Sequence, residues 1–295
     1  MNASFFFKKH YLNYAFRRLP FLLVIFINSC FYLLVTLFSR ALAMMVTYGK
    51  AFKLVDFEDP RFMGAILFIF TFMLVYNLLD EISLLTGQKQ LVNFALGKYS
   101  NPQMESRMIM FIDMTDSTKI AEQIGDKLYL SLLDEFFSLM TIPLSESKGE
   151  IYKYIGDEAI ITWDQQNKDA YIPVKFFYKF KKAIQRHEKH FKDRYGTVPK
   201  FKAGLHYGTM MIGELGSAKK EIALIGDSIN TTSRILGIGK KLNHELVLSE
   251  ILGKQFSNTK KAIVLENLGE QAIRGKEEKL VLYSIESTFR PKVKA

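Results

Sequence analysis

A chain of 295 residues with 48% hydrophobic and 24% charged side chains has length for about two domains and is too apolar to be a disordered segment. Its net charge of +10 suits a partner such as anionic lipid or a polyphosphate; the basic residues are scattered and no base-reading motif accompanies them, so nucleic acid is not an expected partner. The single cysteine, Cys30, excludes an internal disulfide.

Residues 1–19 mix Lys8, Lys9, Arg17 and Arg18 with aromatic side chains. Pro20–Phe38 and Phe62–Leu79 are uncharged runs, and each matches the roughly 20 apolar residues a helix needs to cross a bilayer. Apolar on every face, they read as two membrane spans rather than buried soluble helices. The first lacks the short apolar region and small-residue cleavage site of a signal peptide. Residues 41–49 extend the first helix or lie in the interface. Four basic residues precede the first span and four (Arg40, Lys50, Lys53, Arg61) lie between the two, so loop charge does not orient them.

Residues 80–106 keep a partly helical pattern that Asn101-Pro102 ends. Beyond them MIMFIDM (108–114) reads as a buried strand, Thr118–Gly125 as a helix start and Leu128–Met140 as an amphipathic helix. Ile151–Ile155 and Glu158–Trp163 form a hairpin turning at Gly156-Asp157. A basic helix covers 169–193, FKAGLHYG and TMMIGEL read as a strand pair, ALIG as a short strand, and Ser228–Leu242 as a helix. ELVLS, AIVLEN and LVLYSIE supply closing strands. The order is that of an α+β, ferredoxin-like core.

Asp113 ends an apolar strand and Asp157 sits at a hairpin tip. Two carboxylates at strand ends suit Mg²⁺, which takes a few carboxylates and completes its shell with phosphate oxygens; either Asp alone is more often a turn or cap residue. The run Asp-Met-Thr-Asp-Ser-Thr opens a helix whose first amides can cradle phosphate, with Thr118 at its end. Asn230 and Arg234, four apart, share a helix face, an arrangement common on solvated helices.

FIDMTDST, IYKYIGDEAIITW, FKAGLHYG, IGDSINTTSR and IRGKEEKLVLYSI, in this order over about residues 106–286, resemble the catalytic domain of class III adenylate/guanylate cyclases, particularly bacterial members with an N-terminal membrane anchor. The resemblance implies an adenylate cyclase converting ATP to 3′,5′-cyclic AMP and pyrophosphate at a homodimer interface, with two Mg²⁺ (or Mn²⁺) per active site. It assigns Asp113, Asp157 and the backbone carbonyl of Met114 to the metals. Asn230 positions the ribose and Arg234 stabilises charge on the α-phosphate. Arg274 grips the terminal phosphates where the family usually has lysine, and Lys153 reads adenine where guanylate cyclases commonly carry Glu. The second base-reading position holds Ala223, which has no side-chain hydrogen bond to offer; Glu221, two residues earlier, is a candidate substitute. A catalytically silent signalling module and a cyclase of relaxed or guanylate specificity are the alternatives. A diguanylate cyclase is disfavoured, because YIGDEAI lacks the paired glycines and Phe of a GG[DE]EF turn.

The expected organisation is a cytoplasmic segment (1–19), a membrane anchor of two transmembrane helices (20–79), a helical linker or transducer (80–106), the catalytic domain (107–286) and a tail (287–295). An even number of spans keeps both termini on one side, and the ATP chemistry places that side in the cytoplasm. The expected location is the inner (plasma) membrane, multi-pass, with the lipid bilayer, ATP and a second copy of the chain as partners.

Overall fold

The computed structural model describes residues 20–48, 60–164, 169–257, 264–272 and 279–285. The chain divides into two compact units, Met1–Ala95 and Leu96–Ala295.

In the first unit α1 (Phe21–Tyr48) and α2 (Pro60–Thr86) pack on each other, and α3 (Gln88–Ala95) follows. Residues 41–48 continue the first helix. Leu22–Ala43 and Met63–Ser83 are long and apolar enough to cross a membrane. Leu34, Phe38, Leu67 and Phe68 stand exposed along them, as lipid-facing side chains do. The pair is tied by an edge-on contact of Phe26 with Phe70 and by Asn77, whose buried Nδ2 donates to Ser29 Oγ at 3.2 Å. Such a polar link is favoured where no water competes.

The second unit is a mixed sheet with helices on both faces. In chain order it comprises β1 (Gln103–Met114), α4 (Ser117–Ile124), α5 (Asp126–Ser138), α6 (Thr141–Ser147), β2 (Glu150–Ile155), β3 (Glu158–Trp163), α7 (Tyr171–Arg186), α8 (Glu188–Tyr195) and β4 (Phe201–Leu215). Then come β5 (Glu221–Ile225), α9 (Asp227–Lys241), β6 (Leu246–Ser249), α10 (Glu250–Ser257), β7 (Leu265–Gln271) and β8 (Leu280–Ile285). The strands run β2-β3-β1-β4-β6-β8-β7, with β5 paired to the end of β4. The α+β, ferredoxin-like expectation holds, and three local readings change. FKAGLHYG and TMMIGEL are one continuous strand, because Gly208 is not a turn but a point of close approach: a side chain there would strike Ser228 of α9. The basic helix breaks at His187, whose amide bonds back three residues to Ile184 O. Helices α6 and α10 stand where no helix is expected.

Period-two alternation along β1 separates two cores. Met108, Met110, Ile112 and Met114 face α5 and α7, where Leu132, Phe136, Phe176, Phe177 and Phe180 are buried. A third stretch of spanning length, Asp126–Ser147, belongs to this core: its apolar residues Leu132, Phe136 and Met140 are fully buried there and Asp134 and Glu135 interrupt it. On the opposite face Ile109 and Phe111 pack with Ile160, Met210, Ile212 and Leu236 of α9. Arg107, 4% exposed, is held by Glu105 Oε2 at 2.7 Å and the Tyr99 hydroxyl at 3.0 Å, so its buried charge is compensated.

Candidate active site

Asp113 lies near the end of β1, and in register it stands between Glu158 of β3 and Lys202 of β4. Directly opposed residues on neighbouring strands point to the same side, so these three share the sheet face on which α9 packs. The β2–β3 turn brings Asp157 to the same end. Gly156 adopts φ 60°, the positive value the first residue of this two-residue turn requires. Asp157 acts by charge on Asp113, Glu158 and Tyr129 of α5. The two aspartates are therefore neighbours in space.

Burial pushes the Asp113 carboxyl above its ordinary range and Asp157 adds to the rise, against the pull of Lys240, whose Nζ lies 2.6 Å from Asp113 Oδ2. Glu158 is pushed up to about 7, by burial first and then by Asp113. Burial and the two aspartates also raise the Tyr129 hydroxyl, while a hydrogen bond with Ser117 opposes them. The Met114 side chain is buried in the main core, so only its backbone is available to a ligand. Asp113, Asp157 and that carbonyl are hard oxygen donors, which fits Mg²⁺ or Mn²⁺. No group of three or more His, Cys, Asp or Glu among the described residues is arranged to hold a metal alone; the donors present would share it with phosphate oxygens and water.

After Asp113 the chain turns through Asp116, left-handed at φ 56°, into α4, where Thr118 is exposed in the first turn. Helices leave their first amides without internal acceptors, and these follow the aspartate within a few residues.

A second group assembles around β2 and β5. The bulge between Ile151 and Lys153 re-aims β2. Lys153 Nζ lies 3.7 Å from Glu221 Oε2, and the Tyr152 hydroxyl accepts from the Leu224 amide at 3.2 Å. Ala223 is buried between these two contacts on β5.

Helix α9 carries Asn230, exposed, and Arg234, half-buried. Lys240, in its last turn, is the residue that reaches Asp113. At 100° and 1.5 Å per residue, Arg234 is about 120° round and about 9 Å along the helix from Lys240, and Asn230 about 80° round and about 15 Å along. No hydrogen bond or ion pair of Asn230 or Arg234 with Asp113 or Asp157 occurs among the described residues. One chain thus gathers Asp113, Met114 and Asp157 at one place and Lys153 beside Ala223 and Glu221 at another, and carries Asn230 and Arg234 along α9 away from the lysine that meets Asp113. Arg274 lies outside the described residues.

Sequence reasoning missed Glu158 and Lys240. Glu158 carries a signal in hindsight: it follows Asp157 and opens a strand that must pair with β1. Lys240 carries none, because its place depends on how α9 docks.

The sequence model of the adenylate and guanylate cyclase catalytic domain matches residues 99–287. Adenylate cyclase 2 of Rhizobium meliloti (strain 1021) is 32% identical over 203 residues, 68% of this chain and 55% of that protein. An adenylate cyclase of Anabaena cylindrica is 23% identical over 199 residues, 66% of this chain and 39% of that protein. The chain thus spans about half, or less, of the length of these relatives. The crystal structure of the adenylyl cyclase CyaB from P. aeruginosa superposes with a TM-score of 0.56 at 20% identity, covering 64% of this chain and 98% of that one, a likeness of fold.

Proposed function

The chain belongs to the adenylate and guanylate cyclase catalytic-domain family, and from that premise we propose that it is an adenylate cyclase, making 3′,5′-cyclic AMP and pyrophosphate from ATP in a cytoplasmic domain anchored to the inner membrane by α1 and α2. The observation that carries this reading is the meeting of Asp113 and Asp157 at the end of β1, next to the opening of α4.

In this reading Asp113, Asp157 and the Met114 carbonyl would hold two Mg²⁺ or Mn²⁺ ions. When bound, the metals lower the pKa of the ribose 3′-hydroxyl and neutralise charge on the phosphates. The 3′-hydroxyl gives its proton to water as its oxygen attacks the α-phosphorus in line, and the bond from that phosphorus to the bridging oxygen breaks, releasing pyrophosphate. The first amides of α4, with Thr118, receive phosphate oxygens, and Arg274 grips the terminal ones. Asn230 orients the ribose. Arg234 meets charge that grows on the α-phosphate only in the transition state, where binding energy accelerates chemistry. Lys153 meets the base. Because α9 turns Lys240 to its own Asp113 and carries Asn230 and Arg234 elsewhere, the second half of each site comes from a second copy, giving a two-fold homodimer with two equivalent sites.

Ala223 favours a second reading of the base site. Ala223 is buried and its side chain has no hydrogen bond to offer a base, which leaves Lys153 and the Glu221 beside it to select adenine, so relaxed specificity is the alternative.

The test is cyclic nucleotide production by the full chain in detergent, with ATP and GTP in parallel, in Mg²⁺ and in Mn²⁺, beside Asp157→Ala. Cyclic AMP from ATP, at least a hundredfold reduced in Asp157→Ala, is the expected result, since a metal ligand supplies several kcal/mol to such a transition state. Equal rates with GTP would select the relaxed reading. No product with either nucleotide would leave a silent signalling module.

A further inference from the structure

The ion pair between Lys240 and Asp113 is not part of the reaction described above. Its Nζ–Oδ2 distance is 2.6 Å, and the Asp113 side chain is only 15% exposed. The carboxylate oxygen that Lys240 takes is one a divalent cation would need, and Mg²⁺ binds such an oxygen at about 2.0–2.1 Å; the ammonium and the metal exclude each other there. Lys240 is also aimed. Its helix is seated on the sheet at Gly204, against the backbone of Leu236. Lys202 stands directly opposite Asp113 in register, yet its ammonium is bonded instead to Asn243 Oδ1 at 2.8 Å and to the Lys240 carbonyl at 3.4 Å. The lysine placed by the strand register is turned away, and the one delivered by the helix neutralises the aspartate.

We propose that Lys240 is a built-in counter-cation of the metal-free site, competing with the divalent cation for Asp113 and so raising the metal concentration at which the site fills. This rests on the reading of Asp113 and Asp157 as metal ligands. It makes Lys240 a positioning residue: it holds the carboxylate in place while the site is empty and yields it when metal arrives.

The test is direct Mn²⁺ binding to the full-length protein without nucleotide, read from the electron paramagnetic resonance signal of free Mn²⁺. Lys240→Met should bind Mn²⁺ about two- to fivefold more tightly than wild type, the range a partly exposed ion pair supports. Lys240→Arg keeps the charge and should stay near wild type. Lys241→Met removes the same charge from an exposed neighbour and should also leave affinity unchanged, because salt screens a charge that is not in contact. In Lys240→Met/Asp113→Asn the gain should vanish, because the contested carboxylate is gone. Lys240→Met binding no better than Lys241→Met would overturn the proposal, as would a gain that survives Asp113→Asn, or no binding by Lys240→Met at all. The metal reading has its own separate arm: if wild type, Asp113→Asn and Asp157→Ala bind Mn²⁺ alike, the aspartates are not the ligands.

Discussion

Two carboxylates directly opposed on neighbouring strands, Asp113 and Glu158, are an unfavourable pairing for a sheet unless a charge is removed or compensated. Lys240 compensates Asp113, and Glu158 retains its proton up to about 7 against an ordinary value of 4.5. Between those values the folded chain binds more protons at this position than the unfolded chain. Stability therefore falls as pH rises through the window, and the loss is complete above about 7. Thermal melting of metal-free wild type and Glu158→Gln between pH 4.5 and 8 isolates the effect. The melting temperature of wild type should drop relative to the variant as pH rises, and parallel curves would remove Glu158 from the account. On the proposed metal reading, a divalent cation bound at Asp113 and Asp157 would offset the charge that burial disfavours, so added Mn²⁺ should flatten the difference.

At the scale of elements, the site depends on how closely α9 lies on β4. A Cβ on Gly204 would fall 2.6 Å from the Leu236 amide nitrogen and 2.9 Å from its Cα. Both are helix backbone, which no rotamer change can clear. Gly204→Ala should therefore lift α9, with a loss of about 1–3 kcal/mol in denaturant unfolding and with loss of cyclase activity as Asn230, Arg234 and Lys240 move together. Gly237, inside the same helix, has open space where its Cβ would go; Gly237→Ala should stabilise by about 0.4–1 kcal/mol. If both substitutions shift stability in the same direction, close approach at Gly204 is not what limits the helix. The pair also marks the boundary of what the sequence makes legible. Asp113, the Gly156-Asp157 turn, and the Asn230 and Arg234 helix are set by local patterning: an apolar strand, a glycine at a two-residue turn, a four-residue step on a helix. The Gly204 and Gly208 contacts, the continuity of β4 through Gly208, and the arrival of Lys240 at Asp113 depend on one element docking on another. A glycine that spares a helix reads, in one dimension, like a glycine that makes a turn, and that is why FKAGLHYG and TMMIGEL divide wrongly.

For the whole molecule the decisive question is whether one chain holds a complete site. Within the second unit the aspartates gather at the end of β1, while Arg234 and Asn230 lie about 9 and 15 Å along α9 from the lysine that touches Asp113. A helix packed against Gly204 cannot slide that far. The economical assembly is two copies related by a two-fold axis, each giving the aspartates to one site and the Asn and Arg to the other. In the proposed assembly a membrane anchor would assist this arrangement, because two domains tethered in one membrane plane meet at high effective concentration. Complementation tests it without altering the interface. Asp157→Ala and Arg234→Ala should each be inactive as homodimers. Co-expressed in equal amount, about half of the dimers are mixed, and each mixed dimer holds one doubly damaged and one intact site, so about a quarter of wild-type activity should return. Restoration near that value, dependent on both chains being present, means that the site is shared. If the mixture stays as inactive as either variant alone, then one chain must close its own site, and α9 would have to move far from its place on β4 to do it.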